Sequence, residues 1–501
     1  MFCAQLFVLE HSKGKFEMAV FPRVVRKIIE INKTMAISYA DNETIAAIST
    51  PMGTGGIGVI RISGKESLTI LQTIFRPHND SCSYRSHQMY YGQIVAADGH
   101  QLDEVLVVYM RAPKTYTCED IVEIHCHGNF LVLQNVLELV IEKGASLAEP
   151  GEFTKRAFFN GRIDLTKAEA VIDVLSAKTR KGVDVAQEQL AGSLYRRIEP
   201  IRNALVHMRA LFEVAIDFPD QSHDIVDYEQ IDLQLKTEVI APVKELLAGV
   251  DRGRIYRQGI SMVIAGRPNV GKSSLLNAVL QEERALVTSI AGTTRDSIEE
   301  MVDILGMPVR IVDTAGIRRQ AGEVEALGIQ RAKDLINSAD LVLFMVDGSR
   351  QLDQSDLELY EDIAHKPMIA VINKLDLLAE DGTAAAALLD FVPASVPRLA
   401  ISAREGEGLE ALKQAIFTVV TGSDTPWDEE GCAPNLRHKK SLEATLIAAE
   451  RMVDDLAQGM GSSDLLSIDM QECLDQLGDI IGITTTDDVF DVIFSEFCLG
   501  K

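Results

Sequence analysis

No apolar run in this chain approaches the about 20 residues that span a bilayer, so nothing in it reads as a membrane anchor. Cysteine is sparse: seven in 501 residues, at 3, 82, 118, 126, 432, 473 and 498, with no C-x-x-C pair. An odd, scattered set excludes a disulfide framework and a zinc ribbon, and fits a reduced, cytoplasmic compartment. Positive charge is in deficit, with 74 acidic against 49 basic residues and a net charge of −25. That balance excludes a protein that holds nucleic acid through a general basic surface; any RNA contact is local or shared with a partner. There is no internal repeat and no extended low-complexity tract, the alanine run 384–387 reading as helix. The N-terminal stretch does not read as a targeting signal either. Residues 1–34 carry six Lys/Arg but are interrupted by Glu10, Glu17 and Glu30, which suits neither a signal peptide nor an acid-poor transit peptide. Residues 1–35, up to Met35, are expected to be an extension or a product of start-codon choice.

What is present is ordinary in bulk, 47% apolar and 25% charged, and the length implies roughly two to four domains. Residues 36–160 mix short strand-like and helix-like segments. Strands are expected at 44–48, 58–62, 104–110 and 121–125, helices at 67–75 and 131–143, with a linker opening at Pro150-Gly151. This is an α+β domain. From Leu165 to Ile216 apolar residues recur every three or four positions, the signature of long helices. An acidic segment broken at Pro219 follows, then a helix over 229–247. Helical periodicity returns at 442–456 and 465–481. An all-α domain (161–255 and 425–501) is therefore interrupted by a separate module at 256–424.

That module carries the chemistry. Gly266 to Ser273 (GRPNVGKS) matches the phosphate-binding loop G-x-x-x-x-G-K-[ST], after a buried-strand pattern at 260–265 and before a helical one at 274–280. Glycines let backbone N–H groups close around phosphates at a helix N-terminus, Lys272 reaches the β- and γ-phosphates, and Ser273 holds Mg²⁺. Asn373-Lys374-Leu375-Asp376 closes the strand 368–372. A carboxylate there accepts from N1–H and the exocyclic amine of guanine, which adenine does not offer. Asp313-Thr314-Ala315-Gly316 ends the strand 309–312, Gly292 to Asp296 supplies a threonine hydroxyl for Mg²⁺, and Ser402-Ala403 follows the strand 399–401. Five elements in this order describe a Ras-like P-loop GTPase. The residue after Gly316 is Ile317, which cannot orient water as a glutamine would, so hydrolysis uses another group. Asn269 could ligand a monovalent cation beside the phosphates, or serve only as a turn residue; Glu325 could position water, or cap a helix start.

The stretches Val263 to Asn277 (VIAGRPNVGKSSLLN), Ile290 to Asp296 (IAGTTRD) and Asp313 to Arg318 (DTAGIR) resemble GTPases with an apolar residue in place of the catalytic glutamine. Together with Gly55 to Gly64 (GGIGVIRISG), Pro150 to Phe158, Ala215 to Pro219 and the terminal Cys498-Leu499-Gly500-Lys501, they resemble one family, MnmE (also TrmE), from about residue 43 to the end.

The resemblance implies an N-terminal domain similar to tetrahydrofolate-binding domains, through which two copies form a homodimer. It implies work with a flavin-containing partner, MnmG (GidA), in a heterotetramer. The complex would install a carboxymethylaminomethyl-type (or aminomethyl) group on C5 of the wobble uridine of certain tRNAs. FAD would sit on the partner, and a 5-formyl or 5,10-methylene tetrahydrofolate would supply the carbon. Catalytic roles fall to Glu325, Asn269 and Lys272. K⁺ would be surrounded by Asn269, Thr288, Ile290 and Thr293, and Mg²⁺ held by Ser273 and Thr294. The implied GTP-binding set adds Val270, Gly271, Ser274, Ser289, Ala291, Gly292, Asp313, Thr314, Ala315, Gly316, Asn373, Lys374, Asp376, Ser402, Ala403 and Arg404. Arg61, Glu123, Arg162 and Lys501 match folate-contacting positions, and Cys498 is a possible functional thiol. A ribosome-assembly GTPase is the alternative; it calls for a basic RNA-binding appendage, where this chain has a folate-type domain. A scaffold that only binds GTP would need defective switches.

Two further clusters have blander readings. On a strand, His125 and His127 share a face while Cys126 points away, leaving two ligands where zinc takes three or four. The basic run Arg437-His438-Lys439-Lys440 reads as a solvated helix start rather than an RNA contact.

Overall fold

A computed structural model describes residues 43–51, 53–79, 83–218, 226–283, 299–313, 334–377, 388–423, 432–459, 462–498 and 500. The chain divides into two compact units, one of residues 1–163 with 494–501, the other of residues 164–493. The expected 384–387 helix, the break at Pro219 and the N-terminal extension lie outside the described residues.

The first unit is built on a seven-stranded sheet, β1 (Ile45–Ile48), β2 (Gly55–Ser63), β3 (Phe75–Pro77), β4 (Gln88–Val95), β5 (Gln101–Met110), β6 (Ile121–Gly128) and β7 (Ser146–Leu147), in the order β3-β4-β5-β6-β2-β1-β7. Alternation sends Ile60, Ile62, Val105, Val107, Val122 and Ile124 to one face. There they meet α1 (Ser67–Ile74) and α2 (Phe130–Glu142), whose Ile70, Leu71, Leu133 and Val136 close the core. Pro150-Gly151 opens a helix, α3 (Glu152–Phe159), where sequence reading expected a linker. Gly151 makes the turn at φ +70°, and a Cβ there would lie 2.5 Å from the Phe494 carbonyl oxygen, so the start of α3 is locked against the chain's end. Residues 494–501, at the end of the expected helical half 425–501, group with this compact unit, where the Phe494 ring lies near that of Phe158 and Ser49 Oγ donates to the Gly500 carbonyl at 3.0 Å.

The second unit begins with α4 (Leu165–Ser176), α5 (Arg180–Leu190) and the 25-residue α6 (Ser193–Asp217). Then come α7 (Tyr228–Gln234), one π-helical turn at Leu235–Ile240, and α8 (Ala241–Gln258). After the inserted module the helices resume as α12 (Leu436–Ala457), α13 (Ser463–Ile481) and α14 (Asp487–Ser495). Leu194, Ile198, Leu205 and Phe212 of α6 share one core with Leu442 and Met452 of α12 and with Met470 and Leu477 of α13. Segments more than two hundred residues apart thus complete each other's apolar faces, which neither could bury alone.

Between these halves lies a six-stranded sheet ordered β13-β12-β11-β8-β10-β9. Its strands are β8 (Ile260–Ala265), β9 (Glu299–Ile304), β10 (Met307–Asp313), β11 (Leu341–Asp347), β12 (Met368–Asn373) and β13 (Arg398–Ala400). All neighbours are parallel except β9 with β10. β8, β11 and β12 are buried along their whole length, as central strands of a sheet covered on both faces must be. Among the described helices of this module are α9 (Lys272–Glu283), α10 (Gln354–Ile363) and α11 (Leu409–Thr421). Among the described residues, the module is fastened to the helices at several points. α8 runs straight into β8. The returning strap packs Ala433 on Gly253, and its Pro434 carbonyl accepts from Arg257 at 2.9 Å. The turn of the β9–β10 hairpin gives its Gly306 carbonyl to Thr179 Oγ1 at 2.7 Å.

Arg437 and His438 correct the reading of their basic run. Arg437 pairs with Glu169 of α4 through Nε (2.9 Å) and Nη2 (3.0 Å), and donates to the Asp479 carbonyl at 2.7 Å. His438, 1% exposed, accepts the Asn435 N–H on Nδ1 at 3.0 Å, which leaves the proton on Nε2, 2.8 Å from Glu169. These side chains clamp the two halves of the helical part together.

Candidate functional site

The phosphate-loop segment leaves β8 at the carboxyl end of the sheet's middle, where an open α/β sheet offers its crevice. The reason it needs glycine is contact as well as turn geometry. A Cβ on Gly266 would lie 2.5 Å from the Met345 carbonyl oxygen, and one on Gly271, whose φ is +104°, would lie 2.1 Å from Asn373 Nδ2. Asn269 itself takes a left-handed backbone, φ +67°, and is exposed. Lys272, 7% exposed, donates through Nζ to the carbonyls of Gly266 (2.7 Å) and Arg267 (2.8 Å), so its charge sits inside the loop. Ser273 and Ser274 are exposed on the first turn of α9, whose N–H groups point toward the loop. Val270 is fully buried beneath.

The residues expected to read the base are organised by one side chain. Asn373, 2% exposed, donates through Nδ2 to the Val270 carbonyl at 2.8 Å and accepts on Oδ1 from the Ala403 N–H at 3.0 Å. It thereby ties the phosphate loop, its own loop and the Ser402-Ala403 loop together. Asp376 is exposed, one carboxylate oxygen accepting from the buried Ser402 hydroxyl at 2.6 Å. Ser402 is in turn fixed by the Glu405 N–H at 3.3 Å. Lys374, at φ +70°, reaches Asp347 at the end of β11 at 2.6 Å. Burial works to raise the Asp347 pKa, but Lys374 and Ser349 hold it below the usual carboxylate range, so it stays charged. Arg404 is exposed beside them.

Sequence reading missed Asp347 and the pairing of Arg267 with Asp353 and Asp356. The signal for Asp347 is the same as for Asn373: a polar residue that ends an all-apolar strand. Asp313 closes β10, aligned with β8. Thr288, Ser289, Ile290, Ala291, Gly292, Thr293, Thr294, Thr314, Ala315, Gly316 and Glu325 lie outside the described residues.

A second cluster lies in the first unit. Arg61 of β2 pairs with Glu123 of β6, directly across the ladder, through Nε at 2.9 Å and Nη2 at 2.8 Å. Its guanidinium also lies 5.8 Å from the Tyr116 ring centroid and 5.6 Å from that of Phe153, and 3.5 Å from the Gly500 carbonyl. Arg162 stands over the same tyrosine at 4.7 Å and donates to its carbonyl at 2.8 Å. Two of the four expected folate residues, Arg61 and Arg162, therefore meet over Tyr116, and a third, Glu123, is paired with Arg61; Lys501 lies outside the described residues. Its neighbour Gly500 has φ +87°, and a Cβ there would fall 2.4 Å from the Ile48 carbonyl oxygen, so the tail lies tight against β1. Tyr116 and Phe153 carried no pattern that sequence alone could single out. Cys498 is exposed, whereas burial pushes the Cys126 thiol up to about 12.

Two family descriptions match this chain: the GTP-binding protein TrmE N-terminus over residues 44–162, and the MnmE helical domain over residues 165–498. The chain belongs to the MnmE family. Relatives named tRNA modification GTPase MnmE come from Geotalea uraniireducens and Carboxydothermus hydrogenoformans, each 45% identical, and from Natranaerobius thermophilus, 43% identical. Each alignment covers 92% of this chain and 99% of the relative. Among solved structures, Era from Aquifex aeolicus bound to GDP and AlF4⁻ is similar at 28% identity and a TM-score of 0.27, over 38% of this chain and 66% of Era. Among the described residues, no helix is long and apolar enough to cross a membrane.

Proposed function

We propose that this MnmE-family GTPase hydrolyses GTP to drive tRNA modification, as the component of a complex that adds a carboxymethylaminomethyl or aminomethyl group to C5 of the wobble uridine. The observation that carries the GTP half is Asn373. One buried amide binds the phosphate loop to the base-reading loops, presenting Lys272 and Asp376 as parts of one site. The family carries the tRNA half.

The finer reading extends from there. Mg²⁺ would be held by Ser273 and Thr294, and K⁺ by Asn269, Thr288, Ile290 and Thr293; the exposed Ser273 hydroxyl and Asn269 amide are oxygen donors of the type such hard cations take. When bound, the two ions supply positive charge against the phosphates. Lys272 stabilises the same charge from within the loop, and Glu325 orients the attacking water. A tetrahydrofolate derivative would bind around Arg61, Glu123, Arg162 and Lys501. That site fits because an ion pair and two aromatic rings converge there, suiting a flat, hydrogen-bonding pterin with an anionic tail. The face of the first sheet away from its helices carries exposed Ile57, Met89, Tyr91 and Leu106, which supports a homodimer through this unit. The flavoprotein partner MnmG, carrying FAD, would supply redox chemistry, in the cytoplasm where tRNA resides.

Single-turnover GTP hydrolysis in KCl against NaCl tests the GTP reading. Faster turnover in KCl, with the difference lost in Asn269→Ala, is the expected result. Turnover indifferent to the cation would remove the roles given to Asn269 and Glu325, and no turnover in either salt would favour a binding-only scaffold.

A further inference from the structure

We infer that His125 is a positioning residue of the folate site, acting through Glu123; the inference rests on the folate reading above. His125 follows Glu123 by two positions on β6, so both side chains leave the same face of the sheet, the face away from the helices. Ladder pairing places His125 between Leu106 of β5 and Val59 of β2, and Glu123 between Val108 and Arg61. Among the described residues, His125 Nε2 is a buried polar atom with no hydrogen-bond partner. It lies 3.7 Å from Glu123 Oε2, outside hydrogen-bond reach, while Arg61 holds Oε1 at 2.8–2.9 Å.

An unpaired buried imidazole nitrogen is costly unless something completes it. In the inferred arrangement a side-chain rotation brings Nε2 within reach of Oε2. Glu123 would then be gripped from both sides, Arg61 on one oxygen and His125 Nε2–H on the other. Each carboxylate oxygen has two lone pairs, so both oxygens still present one to a ligand. The result is a rigid acceptor–acceptor edge. A reduced pterin offers the complementary donor–donor edge, its N3–H beside its 2-amino group. Arg61, paired to the Glu123 carboxylate at 2.8–2.9 Å, favours its charged form. An ionised carboxylate is the form this recognition requires.

Equilibrium binding of 5-formyltetrahydrofolate to the full-length protein tests the inference, using wild type, H125L, H125Q, E123Q and the double variant E123Q/H125L. Removing a hydrogen bond to a charged group is expected to weaken binding about tenfold in H125L. H125Q, which restores a donor near the Nε2 position, should recover most of that loss, and the melting temperatures should be alike. In the E123Q background H125L should cost nothing more, because its effect passes through the carboxylate. Wild-type affinity in H125L, no recovery in H125Q, or the same loss with and without the Glu123 carboxylate would each overturn the role of His125 while leaving the folate reading intact. No binding by wild type, or undiminished binding by E123Q, would remove the folate reading and this inference together.

Discussion

At the scale of single residues, the proposed reader of the base is Asp376. Ser402 fixes one of its oxygens, and in the proposed site the exposed carboxylate would accept from N1–H and the 2-amino group of guanine. Asp376→Asn replaces an acceptor by a donor, which matches the C2 carbonyl of xanthine instead. Two hydrogen bonds to a charged group, about 1.5–3 kcal/mol each, imply a loss in GTP affinity of about a hundredfold or more, with a gain for xanthosine triphosphate. Competition between the two nucleotides in a fluorescence titration checks this; equal losses for both would mean the carboxylate does not face the base. Asn373 plays a different part. Its contacts are within the protein, so its replacement is expected to loosen three loops at once rather than to change base preference.

At the scale of elements, the clamp between α4 and α12 has a pH signature. Burial alone would raise the Glu169 pKa, but His438 and Arg437 outweigh it and leave the carboxyl far below its ordinary 4.5. A carboxyl depressed on folding contributes stability that is complete above its unfolded pKa and is lost as pH falls toward the folded one. Glu169→Gln is expected to cost about 3 kcal/mol near neutral pH, since it leaves Arg437 without its counter-charge. The gap between wild type and variant should be full above about pH 4.5 and narrow below it. Urea unfolding followed by helical circular dichroism at a series of pH values measures it; a gap independent of pH would show that the ion pair contributes little.

The same clamp shows where sequence reading reaches its limit. The apolar strands β8, β10, β11 and β12 and the periodic helices α6, α12 and α13 were legible, because core strands and amphipathic helices write their burial into the sequence. β4 was not: Gln88 to Val95 has Met89 and Tyr91 on an open face, so the alternation that marks a half-buried strand is absent. α3 was hidden by the Pro150-Gly151 turn before it and by its polar composition. Arg437 was read as solvated because its partner Glu169 is 268 positions away, and a buried ion pair leaves no local periodicity. The segments that carry the phosphate and base motifs were legible as the ends of apolar strands. The pairing of Arg61 with Glu123 and the meeting of Arg61 and Arg162 over Tyr116 follow from β-ladder register and tertiary packing, neither of which spacing encodes.

At the scale of the whole molecule, the net charge of −25 argues against this chain gripping tRNA by itself over a broad surface. The proposed role is instead that of a GTP-driven component that acts on tRNA together with a partner. The most direct test is mass spectrometry of tRNA nucleosides from a strain lacking the gene, with and without rescue. Loss of C5-aminomethyl-type wobble uridines is expected, restored by the wild-type gene and not by the Asp376→Asn variant with its weakened hold on GTP. An unchanged nucleoside profile in the deletion strain would contradict it.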